Sequence, residues 1–191
     1  MRRQLFLKDI EAGEEERVSS GMQEFDRVLG GGIVKGSLVL IGGDPGIGKS
    51  TILLQVCKAF ANKLKILYVS GEESSSQIKL RAARLGVTGE NVTVISKTDT
   101  VAVTEYIKDT KPDIVMIDSI QTMKIEEIAS SQGSIVQVRG STNMLLNVGK
   151  ALDIPIMIVG HVNKGGDIAG PKVLEHIVDT VLYFEGERNQ S

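Results

Sequence analysis

The chain has 191 residues and a formal net charge of −2, from 22 basic and 24 acidic side chains. Its 41% hydrophobic and 24% charged content is that of a globular protein of one ordinary domain. The near-neutral balance is not that of a protein coated with nucleic acid, and a single cysteine excludes an internal disulfide and any multi-cysteine metal site.

Residues 1–20 are polar and charged and are expected to form a lead-in to a domain spanning 21–191. Their apolar stretch Leu5-Phe6-Leu7 is too short for a signal peptide, and Glu14-Glu15-Glu16 follows at once. With no apolar run near the roughly 18 residues of a membrane helix, the chain reads as cytoplasmic, with no membrane partner. A helical pattern from 22 to 29 ends at Gly30-Gly31-Gly32. Strands and helices then alternate. The strands are expected at 38–42, 66–70, 92–95, 114–118, 156–160 and 181–184. The helices are expected at 49–62, 75–85, 101–110 and about 134–152. The strands are short and apolar throughout, as buried parallel strands are, and Pro112 marks the helix end before the fourth. The alternation predicts an α/β fold, a mostly parallel sheet with helices on both faces. Cys57, within the first long helix, is expected to be a small buried apolar residue.

Between the first of these strands and its helix stands Gly43-Asp44-Pro45-Gly46-Ile47-Gly48-Lys49-Ser50, followed by Thr51. This fits the pattern Gly-x-x-x-x-Gly-Lys-Ser/Thr, in its proper strand–loop–helix context. Glycines let the backbone wrap an anion with its N–H groups pointing inward, and the helix presents its positive end to the phosphates. Lys49 is placed to reach the β- and γ-phosphates of ATP, and the Ser50 hydroxyl to ligate Mg²⁺. The strand 114–118 ends in Asp118, a carboxylate suited to support the same metal ion. Glu72 and Glu73 end another strand. Ligands bind where parallel strands end, so Glu72 is the first candidate to activate water for hydrolysis and Glu73 the second. His161, after the strand 156–160, is a candidate to sense the γ-phosphate, with a packed histidine as the alternative. His176 lies too far along the chain from His161 for metal-ligand spacing and is read as structural or as a subunit contact.

Several segments together resemble the bacterial RadA (Sms) family of DNA-repair ATPases, relatives of RecA. They are Glu24-Phe25-Asp26-Arg27-Val28-Leu29-Gly30-Gly31-Gly32, Leu67-Tyr68-Val69-Ser70-Gly71-Glu72-Glu73-Ser74, Ile117-Asp118-Ser119-Ile120-Gln121-Thr122 and the long run from Ile168 through Gly186. KaiC-like relatives share the glycine-rich lead-in and the paired Glu, but not the last run. The resemblance implies a RecA-like P-loop NTPase fold and a DNA-dependent ATPase. It also implies assembly as a hexameric ring around single-stranded DNA, helicase-like in mechanism, with a recombinase or other repair proteins as partners. By analogy with RecA, one DNA-facing loop would include residues 130–139 and a second 163–171. Lys124, Arg139, Lys164 and Lys172 are the cations there for phosphate contacts, or ordinary solvated charges. Asn163 and Gly165 depart from the Thr and Glu of the family pattern. The family's four-cysteine zinc module, its Lys-Asn-Arg-Phe-Gly motif and its protease-like domain lie outside this sequence. The expectation is therefore an ATPase core that binds nucleotide and hydrolyses it slowly by itself. A nucleotide-binding interaction module with little turnover is the alternative, and a small-molecule kinase is disfavoured for want of an Arg-bearing lid.

Overall fold

The computed structural model describes residues 17–18, 23–28, 31–43, 48–87, 89–161 and 171–184. A short antiparallel ribbon joins β1 (Arg17–Val18) to β2 (Ile33–Val34), with helix α1 (Gln23–Val28) between them in the chain. Then come β3 (Leu38–Gly43), α2 (Lys49–Phe60), β4 (Ile66–Ser70), α3 (Ser75–Arg84), β5 (Val92–Ser96), α4 (Thr100–Thr110), β6 (Ile114–Asp118), α5 (Ile135–Leu152), β7 (Ile156–Val159) and β8 (Thr180–Phe184). Strands β3 to β8 form one sheet in the order β5-β4-β6-β7-β3-β8, every neighbouring pair parallel. The expected strands and helices are all present, with ends shifted by no more than two residues.

Strand periodicity divides the core in two. Leu38 and Leu40, Leu67 and Val69, Val115 and Ile117, and Ile156 and Ile158 face one side, packing with Val103, Ile107, Val138 and Leu145 of α4 and α5. Their alternate neighbours Val39, Ile41, Tyr68, Met116, Met157 and Val159 face the other, packing with Leu53, Val56, Cys57 and Phe60 of α2 and Ile78 of α3. Both faces being covered, these strands read as unbroken apolar runs in the sequence. Each large side chain so buried stabilises the fold by roughly 1.5–3 kcal/mol before the entropy of ordering is counted.

The helices start and stop on local chemistry. Ser74 caps α3 in a reciprocal box: its Oγ accepts from the Gln77 N–H at 3.2 Å, and Gln77 Oε1 accepts from the Ser74 N–H at 2.9 Å. Asp99 caps α4 by accepting from the Ala102 N–H at 3.2 Å. Lys111 and Asp153 close α4 and α5 in the left-handed region, at φ 46° and 55°.

One expectation is corrected. The RecA-like loop expected at 130–139 overlapped the helix expected from about 134, and the helix prevails: residues 135–139 are the first turns of α5, with Ser134 accepting from the Gln137 N–H at 3.4 Å as N-cap. The fully buried Gln137 also organises the preceding segment. Its Oε1 accepts from the Ile125 N–H at 2.9 Å, and its Nε2 donates to the carbonyls of Ile125, Ile128 and Ser130 at 3.0–3.1 Å. Arg139 therefore projects from a helix, exposed.

Candidate nucleotide-binding site

Strand register sets the site. Ile41 of β3 stands beside Val159 of β7, Val159 beside Asp118 of β6, and Asp118 beside Ser70 of β4. β4, β6 and β7 thus end at one level, which β3 passes by two residues, and the residues that follow them emerge along one edge. That edge carries Gly43 at the end of β3, Glu72 and Glu73 after β4, and His161 after β7. It is the end at which ligands of open α/β sheets bind.

Of the phosphate-loop residues, Gly43, Gly48, Lys49, Ser50 and Thr51 are described; Asp44, Pro45, Gly46 and Ile47 lie outside the described residues. Gly48, at φ 78°, turns the chain into α2 through a conformation that favours glycine. Lys49 is 5% exposed, its Nζ donating to the Gly43 carbonyl at 2.9 Å across the loop. Ser50 Oγ donates to Asp118 Oδ2 at 2.6 Å, joining the first turn of α2 to the end of β6. Tyr68 OH donates to the same oxygen at 2.8 Å. Burial, then the adjacent Asp118 charge and hydrogen bond, hold the Tyr68 phenol far above its ordinary pKa, so it remains a donor. Burial likewise pushes the Cys57 thiol up to about 12, which fits its expected role as an inert apolar residue.

A cleft of about 450 Å³ opens here, lined by Gly48, Lys49, Ser50, Thr51, Glu73, Arg81 and His161. Glu73 is fixed at both ends. Its backbone is tied to Ser70 Oγ, which donates to the Glu73 carbonyl at 2.8 Å and accepts from its N–H at 3.1 Å. Its carboxylate is bridged by Arg81 Nη2 at 2.7 and 2.9 Å. Glu72 is exposed and makes no hydrogen bond or ion pair among the described residues. Gly71, which introduces both, leaves no room for a side chain: an added Cβ would lie 1.8 Å from Thr122 Oγ1. His161 is held by its backbone, for Gln121 Nε2 donates to its carbonyl at 3.0 Å and Gln121 Oε1 accepts from its N–H at 3.2 Å.

The donor set suits Mg²⁺. Ser50 and Asp118 offer hard oxygen atoms side by side, and no group of three or more His, Cys, Asp or Glu able to hold a metal occurs among the described residues. Mg²⁺ characteristically takes one or two protein oxygens and fills its octahedron with phosphate and water. A larger cavity, about 840 Å³, lies among Ile33, Phe60, Ile114, Leu152 and Ile154 near the starts of β6 and β7. It includes no residue of the phosphate loop, so its size does not make it the nucleotide site.

Of the cations expected to meet DNA, Lys124, Arg139 and Lys172 do not line this cleft. Lys124 is half-buried, its backbone bonded to Thr98 and Thr100; Arg139 and Lys172 are exposed; Lys164, Asn163 and Gly165 lie outside the described residues. His176 is exposed. Sequence reasoning missed Tyr68, Arg81 and Gln121 as parts of the site. A tyrosine in a buried strand needs a partner for its hydroxyl, which was a usable signal. Arg81 and Gln121 gave none, since on sequence alone they are one more helix cation and one more polar turn residue.

The phosphate loop, the strand-end aspartate and the six-stranded parallel sheet define a RecA-like P-loop nucleotide-binding domain. The chain belongs to the AAA domain family, whose family model matches residues 9–167. Within that class it is similar to the DNA repair protein RadA of Bacillus subtilis, 54% identical over 97% of this chain, and to that of Listeria monocytogenes, 55% identical over 97%. The matched region is 41% of the length of either relative. The fold also matches a KaiC-like protein from the archaeon Pyrococcus horikoshii, with a TM-score of 0.72 and 20% identity, over 93% of this chain and 84% of that one. The resemblance to the RadA ATPase core read from the motifs therefore extends over nearly the whole chain. No helix among the described residues is long and apolar enough to cross a membrane.

Proposed function

We propose that this chain is the Mg·ATP-binding and ATP-hydrolysing core of a RadA-like DNA-repair protein, which acts on single-stranded DNA as part of a ring. The observation that carries the reading is the 2.6 Å contact between Ser50 and Asp118, beside the buried Lys49. It brings the two halves of a P-loop site together from elements 68 residues apart. Lys49 supplies positive charge to the β- and γ-phosphates. Ser50 and Asp118 hold Mg²⁺, which neutralises charge developing on the phosphates. Glu72 has no competing partner among the described residues and accepts the proton of the attacking water, with Glu73 as the second candidate. His161, which lines the cleft, contacts the γ-phosphate. Arg139 and Lys172, both exposed, and Lys124 and Lys164 contribute phosphate contacts to DNA.

Two substitutions test the core of this reading. Lys49→Ala weakens Mg·ATP binding by at least tenfold in calorimetry, while Glu72→Gln retains binding and loses turnover in a phosphate-release assay run with and without single-stranded DNA. Undiminished nucleotide binding by Lys49→Ala would overturn the site assignment. Unchanged turnover in Glu72→Gln would transfer the proton-acceptor role to Glu73.

A further inference from the structure

We infer that Arg81 is a second phosphate-directed cation of the nucleotide site, supplied by α3 within the same chain. The inference rests on the nucleotide-binding reading above and deepens it. Arg81 and Lys49 line the same cleft, together with Gly48, Ser50 and Thr51 of the loop-to-helix junction. Lys49 comes from the phosphate loop itself. Arg81 comes from the second turn of α3, a helix whose start is fixed by the Ser74–Gln77 capping box directly after the strand-end glutamates.

The geometry separates Arg81 from a purely structural partner of Glu73. One nitrogen, Nη2, makes both contacts to the Glu73 carboxylate, at 2.7 and 2.9 Å. A guanidinium carries five N–H donors in a planar fork. Nη2 alone meets Glu73, so the remaining donors belong to Nη1 and Nε; the Arg81 side chain is 36% exposed and lines the cleft. An anion entering the cleft therefore meets a guanidinium that is already oriented and still has donors to give, the planar arrangement that suits phosphate oxygens. Glu73 is the reason such a cation is needed. Its carboxylate lines a cleft meant for a polyanion, and without Arg81 it would face the nucleotide as a bare like charge. Arg81 thus holds Glu73 with one nitrogen and presents its remaining N–H groups to a phosphate.

The test is the binding of a fluorescent, non-hydrolysable Mg·ATP analogue to four proteins: wild type, Arg81→Ala, Glu73→Gln and the double variant. A charge-assisted contact to phosphate corresponds to a loss of about ten- to a hundredfold when removed. The expected result is that Arg81→Ala weakens binding by at least tenfold, that Glu73→Gln binds as wild type or tighter, and that the double variant remains at least fivefold weaker than Glu73→Gln alone. Arg81→Lys, which keeps the charge on a similar stem, is expected to fall between wild type and Arg81→Ala. Melting temperatures of all variants identify any loss that comes from unfolding. Binding by Arg81→Ala within twofold of wild type would overturn the inference. So would full recovery in the double variant, since Arg81 would then only neutralise Glu73. Failure of the wild type to bind the analogue at all would instead remove the nucleotide-binding reading, and this inference with it.

Discussion

Asp118 shows how much one side chain is asked to do. Its Oδ2 accepts from Ser50 and from Tyr68 at 2.6 and 2.8 Å while the residue is 8% exposed, so two oriented hydroxyls satisfy one oxygen of a nearly buried side chain. Tyr68 has a cost at high pH. Its folded pKa is raised, as is that of Cys57, so the stability contributed by each neutral group is fully present below its unfolded pKa. It is lost as pH rises from that value toward the folded one. Cys57 begins to count near 9.0, with the loss continuing to about 12, and Tyr68 begins near 10.0. Each group lowers stability by about 1.4 kcal/mol per pH unit in its window. Tyr183, half exposed, adds little. Urea unfolding between pH 8 and 11 should therefore show a decline that steepens above pH 10. Tyr68→Phe should remove the steeper part while costing about 1–2 kcal/mol at pH 7 from the lost hydrogen bond to a charged group. An unchanged slope in that variant would mean that Tyr68 ionises in the folded state.

At the level of elements, most of the fold was legible. β4 and β6 have the bounds that their apolar runs predict, and α2 begins at Lys49, because buried parallel strands and glycine-to-lysine helix starts are local signals. What was not legible depends on contacts distant in sequence. Gln137 lies inside a helix, yet its side chain supplies the backbone of residues 125–130 with four hydrogen bonds, and no periodicity announces that. The Gln121 clamp on His161 spans 40 residues and is equally silent. The two glycines within α5 show the same limit. On propensity alone, alanine is better than glycine in a helix by about 1 kcal/mol. At Gly140 a Cβ would meet only the ends of the Ile128 and Ile125 side chains, at 2.8 and 3.3 Å, which can move aside. At Gly149 it would lie 2.9 Å from the Ile154 carbonyl oxygen, and the Ile154 N–H is itself bonded to the Gly149 carbonyl at 3.0 Å. Close helix–strand packing there needs a bare Cα. Gly140→Ala should be within about 0.5 kcal/mol of neutral, whereas Gly149→Ala should destabilise by about 1–2 kcal/mol, as overpacking exceeds the propensity gain. Denaturant midpoints of the two variants decide this, and equal midpoints would contradict the packing argument.

For the molecule as a whole, the site belongs to no single element. Lys49 and Ser50 come from the loop-to-helix junction after β3, Asp118 from β6, Glu73 from the turn after β4, Arg81 from α3 and His161 from the end of β7. Each lies in, or closely follows, a strand or helix whose apolar residues belong to the two core layers. The layers and the site are therefore coupled: unfolding any of these elements disperses the ligands, and a nucleotide that bridges them opposes unfolding of the domain as a unit. A ligand that binds only the folded state stabilises it by about 2.7 kcal/mol at a hundredfold excess over its Kd. In a domain of this size, each kcal/mol moves the melting temperature by roughly 2–4 °C. Mg·ATP analogue at that excess should accordingly raise the melting temperature by about 5–10 °C in a single cooperative transition. At the same concentration, Lys49→Ala, binding at least tenfold more weakly, should show about half that shift or less. A wild-type transition that splits, with only part of the signal moving upward, would show that the site is carried by a subset of the sheet and not by the domain as one cooperative unit.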